Sequence, residues 1–183
     1  MADDDGASPR EQLMEACRRN NPDLLQTLLD SPSLQGQAAA TAKFLNTTTD
    51  ALGAGPLHVA AQYGSYEVLD VLLDQEGVEI DIPERREGDT CLHKAVRYVN
   101  EVGRHQGGGD NDDGGLAVVE ILLDAGCDPR IRNKAKLKPI DLADPRNKEL
   151  RTMLNKAEIA LTMAGDTVED EDEGANGSAS DSD

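Results

Sequence analysis

Two copies of one sequence pattern lie in the middle of this chain, and their spacing limits the fold more than any other feature. The first copy, GPLHVAAQYGSYEVLDVLLDQEG, begins at Gly55, and the second begins at Asp89 with DTCLHKAVRYV and resumes later with GLAVVEILLDAGCD. The equivalent histidines, His58 and His93, are 35 residues apart. A unit of this length cannot bury its apolar residues alone, so the spacing predicts a stack of similar units that share one core.

A third, less regular copy follows an interruption. KPIDLAD, from Lys138, repeats the start of the unit with Asp141 in the place of the histidines. His93 and Asp141 are 48 residues apart, so the middle unit carries extra residues, which we place at about 100–115 between its two helices. The sequence there, NEVGRHQGGGDNDDGG, has neither helical nor strand periodicity and predicts a flexible excursion.

Helix-start signals flank the repeats on both sides. SPRE from Ser8 has the form of a capping box with proline in the first turn, and Asn21-Pro22 precedes leucines at helical spacing. Residues 8 to about 30 therefore predict a degenerate first helix pair, and we expect the Ala-rich stretch after it to extend the second helix. Asp144-Pro145 predicts the start of a last, amphipathic helix.

These signals divide the chain into a folded region and two acidic ends. The folded region covers residues 8–164, and the acidic segments 1–7 and 165–183, with almost no apolar residues, are expected to be disordered. The repeat units are predicted at 8–49, 50–84, 85–132 and 133–164.

The quoted segments resemble the ankyrin family, whose units have a β-turn finger, a Thr-Pro-Leu-His motif, and a glycine between two helices. The match covers about Asp50 to Leu154. The resemblance implies an all-α solenoid of about four helix pairs with short β-turn fingers, in which His58, Thr90 and His93 bond within their turns. Departures from the motif lie at Gly55, Cys91, Lys138 and Asp141. The last unit should therefore be less regular.

The order of features also resembles a small group of fungal ankyrin-repeat proteins with acidic carboxy-terminal tails. The features are the regular unit, the interrupted unit, CDPRIRNKAKLKPIDL, and the acidic end. This resemblance implies the fold and a general role in protein binding, and it identifies no partner.

Charge and composition disfavour several classes of partner. The net charge is −18, and the chain has no Trp, one Phe and three Tyr, which argues against nucleic-acid binding. No apolar run is long enough to span a bilayer, and MADDDGASPR is acidic where a targeting peptide is basic. Cys17, Cys91 and Cys127 lack disulfide spacing and predict buried, reduced thiols. We expect a monomer in the cytoplasm or nucleus.

No set of residues in the sequence forms a catalytic or ligand-binding motif. The histidines do not cluster, and His105 stands alone in the insertion. Asp110–Gly114 fails the calcium-loop template at its fifth and twelfth positions, and Gly107–Gly109 lacks the Lys-Ser/Thr of a phosphate loop. We therefore predict no enzyme activity, no metal and no cofactor.

Two surfaces are candidates for binding a partner. On the repeat template, Gln62, Tyr63, Arg97 and Tyr98 fall at the ends of first helices and face the groove, whereas Tyr66 falls at a buried position. Partial burial between units explains a tyrosine equally well. The second surface is a basic ridge on the fingers, formed by Arg85, Arg86, Arg132, Lys134 and Lys136. The alternative for the ridge is an ordinary solvated, charged loop.

These features predict a non-catalytic protein-interaction module or adaptor that binds its partner through the concave face and fingers. The alternative function is an escort chaperone, which would use the acidic tail to shield a basic client such as a ribosomal protein or histone. An acidic residue lies three positions after Ser178 and another three positions after Ser180, which makes both serines candidate phosphorylation sites.

Overall fold

The computed structural model describes residues 6–105 and 113–165. Within these residues the chain forms nine helices and no strand, which confirms the predicted all-α fold. The helices are α1 (Pro9–Arg19), α2 (Pro22–Leu29), α3 (Ala38–Thr47), α4 (Pro56–Tyr63), α5 (Tyr66–Leu73), α6 (Cys91–His105), α7 (Asp113–Asp124), α8 (Pro139–Leu142) and α9 (Lys148–Gly165).

The first helix pair forms where the capping signals predict it. Ser8 accepts a hydrogen bond from the Glu11 amide at 3.3 Å, and the Glu11 carboxylate accepts one from the Ser8 amide at 2.8 Å. The Asn21 side chain caps α2 by accepting from the Leu24 amide at 3.0 Å. These bonds satisfy amide groups that a helix start leaves unpaired.

The Ala-rich stretch does not extend α2, so that prediction was wrong. The chain leaves α2 through a turn that contains Gly36 at φ +71°, and a separate helix, α3, begins at Ala38. Asn46, near the end of α3, donates to the Gly77 carbonyl and accepts from the Glu79 amide, both at 3.0 Å. The reason for the separate helix is therefore tertiary, because α3 is tied to the segment that follows α5.

The core runs continuously through the stacked pairs. In α4, every residue from Pro56 to Ala61 is buried, because this helix packs against both α1 and α6. In α5, Val68, Leu69 and Leu72 face the same core. Helix α4 therefore lies at the centre of the stack.

The predicted excursion at 100–115 is partly helical, which corrects the sequence analysis. Helix α6 continues through His105, and α7 begins at Asp113. The Asn100 side chain explains the longer helix: it donates to the Leu142 carbonyl at 2.8 Å and accepts from the Asp144 amide at 2.9 Å. The additional turns of α6 are thus attached to the last unit.

The last unit is short at its start and long at its end. Helix α8 has four residues, and the Asp141 carboxylate accepts from the Lys138 amide at 2.9 Å, as the histidines do in the other units. Helix α9 begins at Lys148 rather than at Pro145, because Asn147 caps it by accepting from the Leu150 amide at 2.9 Å.

The three cysteines are buried free thiols, as predicted. Burial raises the pKa of Cys17 to about 12. The sulfur atoms of Cys91 and Cys127 lie 3.6 Å apart, and the hydrogen bond between them, together with burial, raises the pKa of Cys127. Because thiolates are the reactive form of cysteine, Cys17 and Cys127 have low reactivity in the folded chain.

Candidate protein-binding surfaces

The two repeat histidines close the turns that open α4 and α6. His58 Nδ1 accepts from the Gly55 amide at 3.2 Å, and His93 Nδ1 accepts from the Thr90 amide at 3.1 Å. The Thr90 hydroxyl lies a further 2.9 Å from His93 Nδ1. Both side chains are thus engaged in the backbone of their own units.

The outer nitrogens of these histidines differ. His93 Nε2 lies 2.9 Å from the Leu137 carbonyl and donates to it, whereas His58 Nε2 is buried with no hydrogen-bond partner among the described residues. Burial lowers the pKa of both side chains, so both are neutral near pH 7. In the described part of the chain, no group of three or more potential ligands could hold a metal ion.

A buried carboxylate joins the second finger to the third. Asp89 accepts from the Asn133 side chain at 2.8 Å and from Arg97 Nε at 2.9 Å, and Lys94 lies 3.6 Å away. Burial raises the pKa of Asp89, but the hydrogen bonds from Asn133 and Arg97 outweigh it and leave the pKa lowered. Asp89 is therefore a fully buried, ionised group that holds three neighbours.

Arg97 belongs to this network as well as to the surface. Its Nη2 lies 3.3 Å from the Glu87 carboxylate, and 44% of its side chain is exposed. The guanidinium is therefore directed toward the second finger. The structure separates Arg97 in this way from Tyr98, its neighbour in sequence.

The three tyrosines of the chain surround one glycine, Gly64, in the turn between α4 and α5. Tyr63 is 51% exposed and Tyr66 is 41% exposed. Tyr98 is half-buried, and a Cβ atom on Gly64 would lie only 2.1 Å from the Tyr98 ring. We call Tyr63, Tyr66 and Tyr98 the tyrosine surface; the exposed Gln62 lies beside it in sequence.

The prediction that Tyr66 is buried was wrong. Tyr66 is the first residue of α5, whereas Val68 and Leu69, two and three positions later, point into the core. The repeat template places the second helix correctly but not the orientation of its first turn. The error matters because Tyr66 adds to the exposed aromatic area.

The fingers are tight turns that lie close to one another. The turns close through amide-to-carbonyl bonds of 2.9 Å from Asp50 to Ala54, from Glu84 to Asp89 and from Asn133 to Leu137. Gly53, at φ +85°, and Gly88, at φ +69°, lie where a Cβ atom would meet the next finger, 2.5 Å from Arg85 and 3.0 Å from Lys134 respectively. Glycine is therefore required at both positions.

The basic ridge lies on the second and third fingers, and its backbone is well supported. The Lys134 amide donates to the Glu87 carbonyl at 2.9 Å, and its ammonium group bonds the carbonyls of Arg85 and Arg86. Arg132 Nη1 donates to the Lys136 carbonyl at 2.7 Å. The structure thus brings the five predicted ridge residues together, on turns rather than on an extended strand.

The acids around the ridge are already paired. Asp128 bonds Arg130 at 2.9 Å, Glu87 bonds Arg97, and Glu158 bonds Lys138. Among the described residues, no carboxylate lies within ion-pair distance of the ridge, which comprises Arg85, Arg86, Arg132, Lys134 and Lys136. The ridge is a patch of unneutralised positive charge.

Sequence reasoning missed the side-chain amides that join the units. Asn20 accepts from the Val68 amide at 3.2 Å and bonds Glu67, Asn46 and Asn100 make comparable pairs of bonds between neighbouring units, and Asn133 makes one. Their spacing does not follow the repeat. The sequence carries no signal that would distinguish them from ordinary loop asparagines.

Several predicted sites lie outside the described residues. These are the candidate phosphorylation sites Ser178 and Ser180, the acidic ends 1–5 and 166–183, and the side chains of Asp110–Gly114. In the part of the chain that is described, no helix is long and apolar enough to cross a membrane.

A family model described as ankyrin repeats, three copies, matches residues 13–133, which is more than half of the chain. The chain therefore belongs to the ankyrin-repeat family, as the stacked helix pairs and histidine-closed turns indicate. Members of this family are in general non-catalytic modules for protein–protein interaction.

Individual relatives support the same assignment. The chain is 42% identical to the Ankyrin repeat-containing protein YGL242C of Saccharomyces cerevisiae over 171 residues, which are 91% of this chain and 88% of the yeast protein. It is 42% identical over 71 residues to human GA-binding protein subunit beta-2, which is 39% of this chain and 13% of that protein. The chain is also 31% identical over 104 residues to a putative E3 ubiquitin-protein ligase protein of Plasmodium falciparum. These residues are 55% of this chain and 1% of that protein.

Proposed function

We propose that this chain is a non-catalytic adaptor of the cytoplasm or nucleus that binds a protein partner through the groove and fingers of the repeat stack. The tyrosine surface carries the proposal. Tyr63 and Tyr66 together expose the largest aromatic area in the described part of the chain. Tyrosine is enriched at interface hot spots, because it offers a large contact area with few rotatable bonds.

The surroundings of the tyrosine surface favour binding without rearrangement. Tyr98 packs directly on the Gly64 backbone, and α4 and α6 beneath it are buried from both sides. A rigid surface loses little conformational freedom when a partner binds. Arg97 contributes less to this surface than the sequence predicts, because Asp89 and Glu87 already engage its guanidinium.

A test uses Tyr63→Ala/Tyr66→Ala in the full chain, with Leu52→Ala/Met163→Ala as the matched control that removes two other exposed apolar side chains. Partners captured from a yeast lysate would be identified by mass spectrometry. We expect one partner to bind the wild type and the control equally well. The same partner should bind the tyrosine variant with an affinity that is at least about tenfold lower. Equal capture by all three proteins contradicts the proposal.

The escort function makes a different prediction. A chain that shields a basic client with its acidic segment should bind lysine- and arginine-rich proteins, with an affinity that falls steeply as salt rises. Changing the acids of 166–183 to amides should then weaken binding and flatten its salt dependence, while Tyr63→Ala/Tyr66→Ala should leave the salt dependence intact. The two variants separate the adaptor from the escort.

A further inference from the structure

We propose that the acidic segment 166–183 of this chain binds its own basic ridge, so that the chain covers the positive surface on its second and third fingers. The ridge consists of Arg85, Arg86, Arg132, Lys134 and Lys136. This inference goes beyond the adaptor function and uses a different surface from the tyrosines. The two proposals can therefore fail separately.

Charge complementarity is the first argument. The chain has a net charge of −18, yet the ridge retains cations that no neighbouring acid in the described residues neutralises. The segment 166–183 contains eight acids and no base. It is the densest run of negative charge in the sequence, and the ridge is the densest cluster of unpaired positive charge among the described residues.

The position at which the segment leaves the fold is the second argument. Glu158 of α9 bonds Lys138, directly after the third finger. From Glu158 to Gly165 the helix adds about 10 Å, at 1.5 Å per residue. The segment therefore begins about two helical turns from the finger side of the last unit.

The length of the segment is sufficient to reach the ridge. Its 18 residues can span up to about 60 Å when extended. A tethered ligand of this length acts at an effective concentration of the order of millimolar, so individually weak ion pairs are enough to keep the ridge covered. An acidic partner that uses the same cations would have to displace the segment.

Salt should control this contact. All of the ridge side chains are exposed, and the Debye length falls from about 8 Å at physiological ionic strength to about 3 Å at 1 M salt. The contact should therefore form at low ionic strength and be lost near 1 M salt, while the bond of Arg97 to the buried Asp89 is less affected.

The test is paramagnetic broadening in the full chain. A nitroxide is attached at Ser180→Cys, which takes the label selectively because the native thiols are buried. At low salt, the amide peaks of the second and third fingers should lose severalfold more intensity than those of α1, and the difference should disappear at about 1 M salt. Broadening spread evenly over the surface overturns the proposal.

Charge variants identify the contact residues. Arg85→Gln/Arg86→Gln/Lys136→Gln removes three ridge charges whose side chains make no described ion pair, and Arg18→Gln/Lys43→Gln/Lys148→Gln removes three exposed charges elsewhere. The ridge variant should lose the finger broadening and the control should retain it. Equal behaviour of the two variants overturns the proposal.

Two further measurements keep the result unambiguous. Changing the eight acids of 166–183 to amides leaves the folded residues untouched and should abolish the broadening even if the ridge variant does not fold. Mixing labelled, unenriched chain with unlabelled, ¹⁵N-enriched chain should give no finger broadening. Broadening in the mixture would show that the segment binds a second copy and would overturn the intramolecular contact.

Discussion

His58 and His93 occupy the same position in successive units, but their surroundings differ. His93 is bonded on both nitrogens, because the third finger brings the Leu137 carbonyl to its outer nitrogen. Among the residues that the structure describes, His58 has a hydrogen-bond partner on one nitrogen, and a cavity of about 40 Å³ lies beside it. At this position a histidine side chain therefore bonds the fourth unit to the third, whereas the equivalent histidine makes no such bond between the second and third among the described residues.

The difference originates in the fingers. Asn133 holds the third finger by accepting from the Leu137 amide at 3.1 Å while donating to the buried Asp89. The second finger, from Glu84 to Asp89, is one residue longer, and Glu84 uses its carboxylate within its own turn, on the Arg86 and Glu87 amides. Asn133 thus supports the finger whose Leu137 carbonyl bonds His93, whereas a carboxylate, Glu84, stands at the start of the second finger.

The largest effect is expected for Asn133→Ala. The change leaves the buried Asp89 carboxylate with fewer donors and the Leu137 amide without its acceptor. We expect the free energy of unfolding to fall by about 3 kcal/mol, because uncompensated buried charges are costly. Urea denaturation measures it. Asn155→Ala, at an exposed position of α9, is the control and should change stability by less than about 0.5 kcal/mol.

His93→Leu and His58→Leu test the comparison directly. His93→Leu leaves the Thr90 amide without its acceptor and removes one of the two donors to the Leu137 carbonyl, and it should cost about 2 kcal/mol. His58→Leu removes one bond, to the Gly55 amide, and should cost about 1 kcal/mol. Equal losses in urea denaturation would show that the additional bond of His93 contributes nothing to stability.

Gly64→Ala should weaken the packed junction between the second and third units. Gly64 has a φ of +68°, and the new methyl group would collide with the Tyr98 ring. We expect a loss of about 2 kcal/mol. Gly36→Ala, at φ +71° with no atom within 4 Å of the added carbon, should cost only about 1 kcal/mol. A smaller loss at Gly64 than at Gly36 would mean that Tyr98 is free to move aside.

The smallest effect concerns pH. Burial lowers the pKa of His58 and His93 in the folded chain, so the unfolded chain binds more protons below about pH 6.5. Stability should therefore decrease as the pH falls from 7 toward 5. The slope should be smaller in His58→Leu/His93→Leu, with His105→Gln as an exposed control. An unchanged slope in the double variant would show that other groups dominate.

The sequence predicts those parts of the fold that repeat. The spacing of His58 and His93, the paired leucines and the proline-containing helix starts are local signals, and except at Pro145 helices lie where these signals place them. The separate α3, the additional turns of α6 and the start of α9 at Lys148 were not predictable in this way. Each depends on an asparagine that bonds a distant or capping backbone group, and such pairing leaves no periodic pattern.

The candidate surfaces show the same limit. The basic ridge could be proposed because its charges form two short clusters, which the repeat template places on neighbouring fingers. For the tyrosine surface, the repeat template placed Tyr63 and Tyr98 on the groove but not Tyr66, because the exposure of Tyr66 depends on the orientation of the first turn of α5. Contacts between units thus decide which exposed side chains lie together.

The three cysteines make unfolding of this stack directly observable. Cys17 lies in the first unit, whereas Cys91 and Cys127 contact each other in the third, and the thiols of each unit are accessible only when that part of the stack opens. Repeat proteins can open from one end, because each unit contacts only its neighbours. The relative rates at which a thiol reagent modifies the three positions would therefore report, without any added probe, whether this chain opens as a whole or one unit at a time.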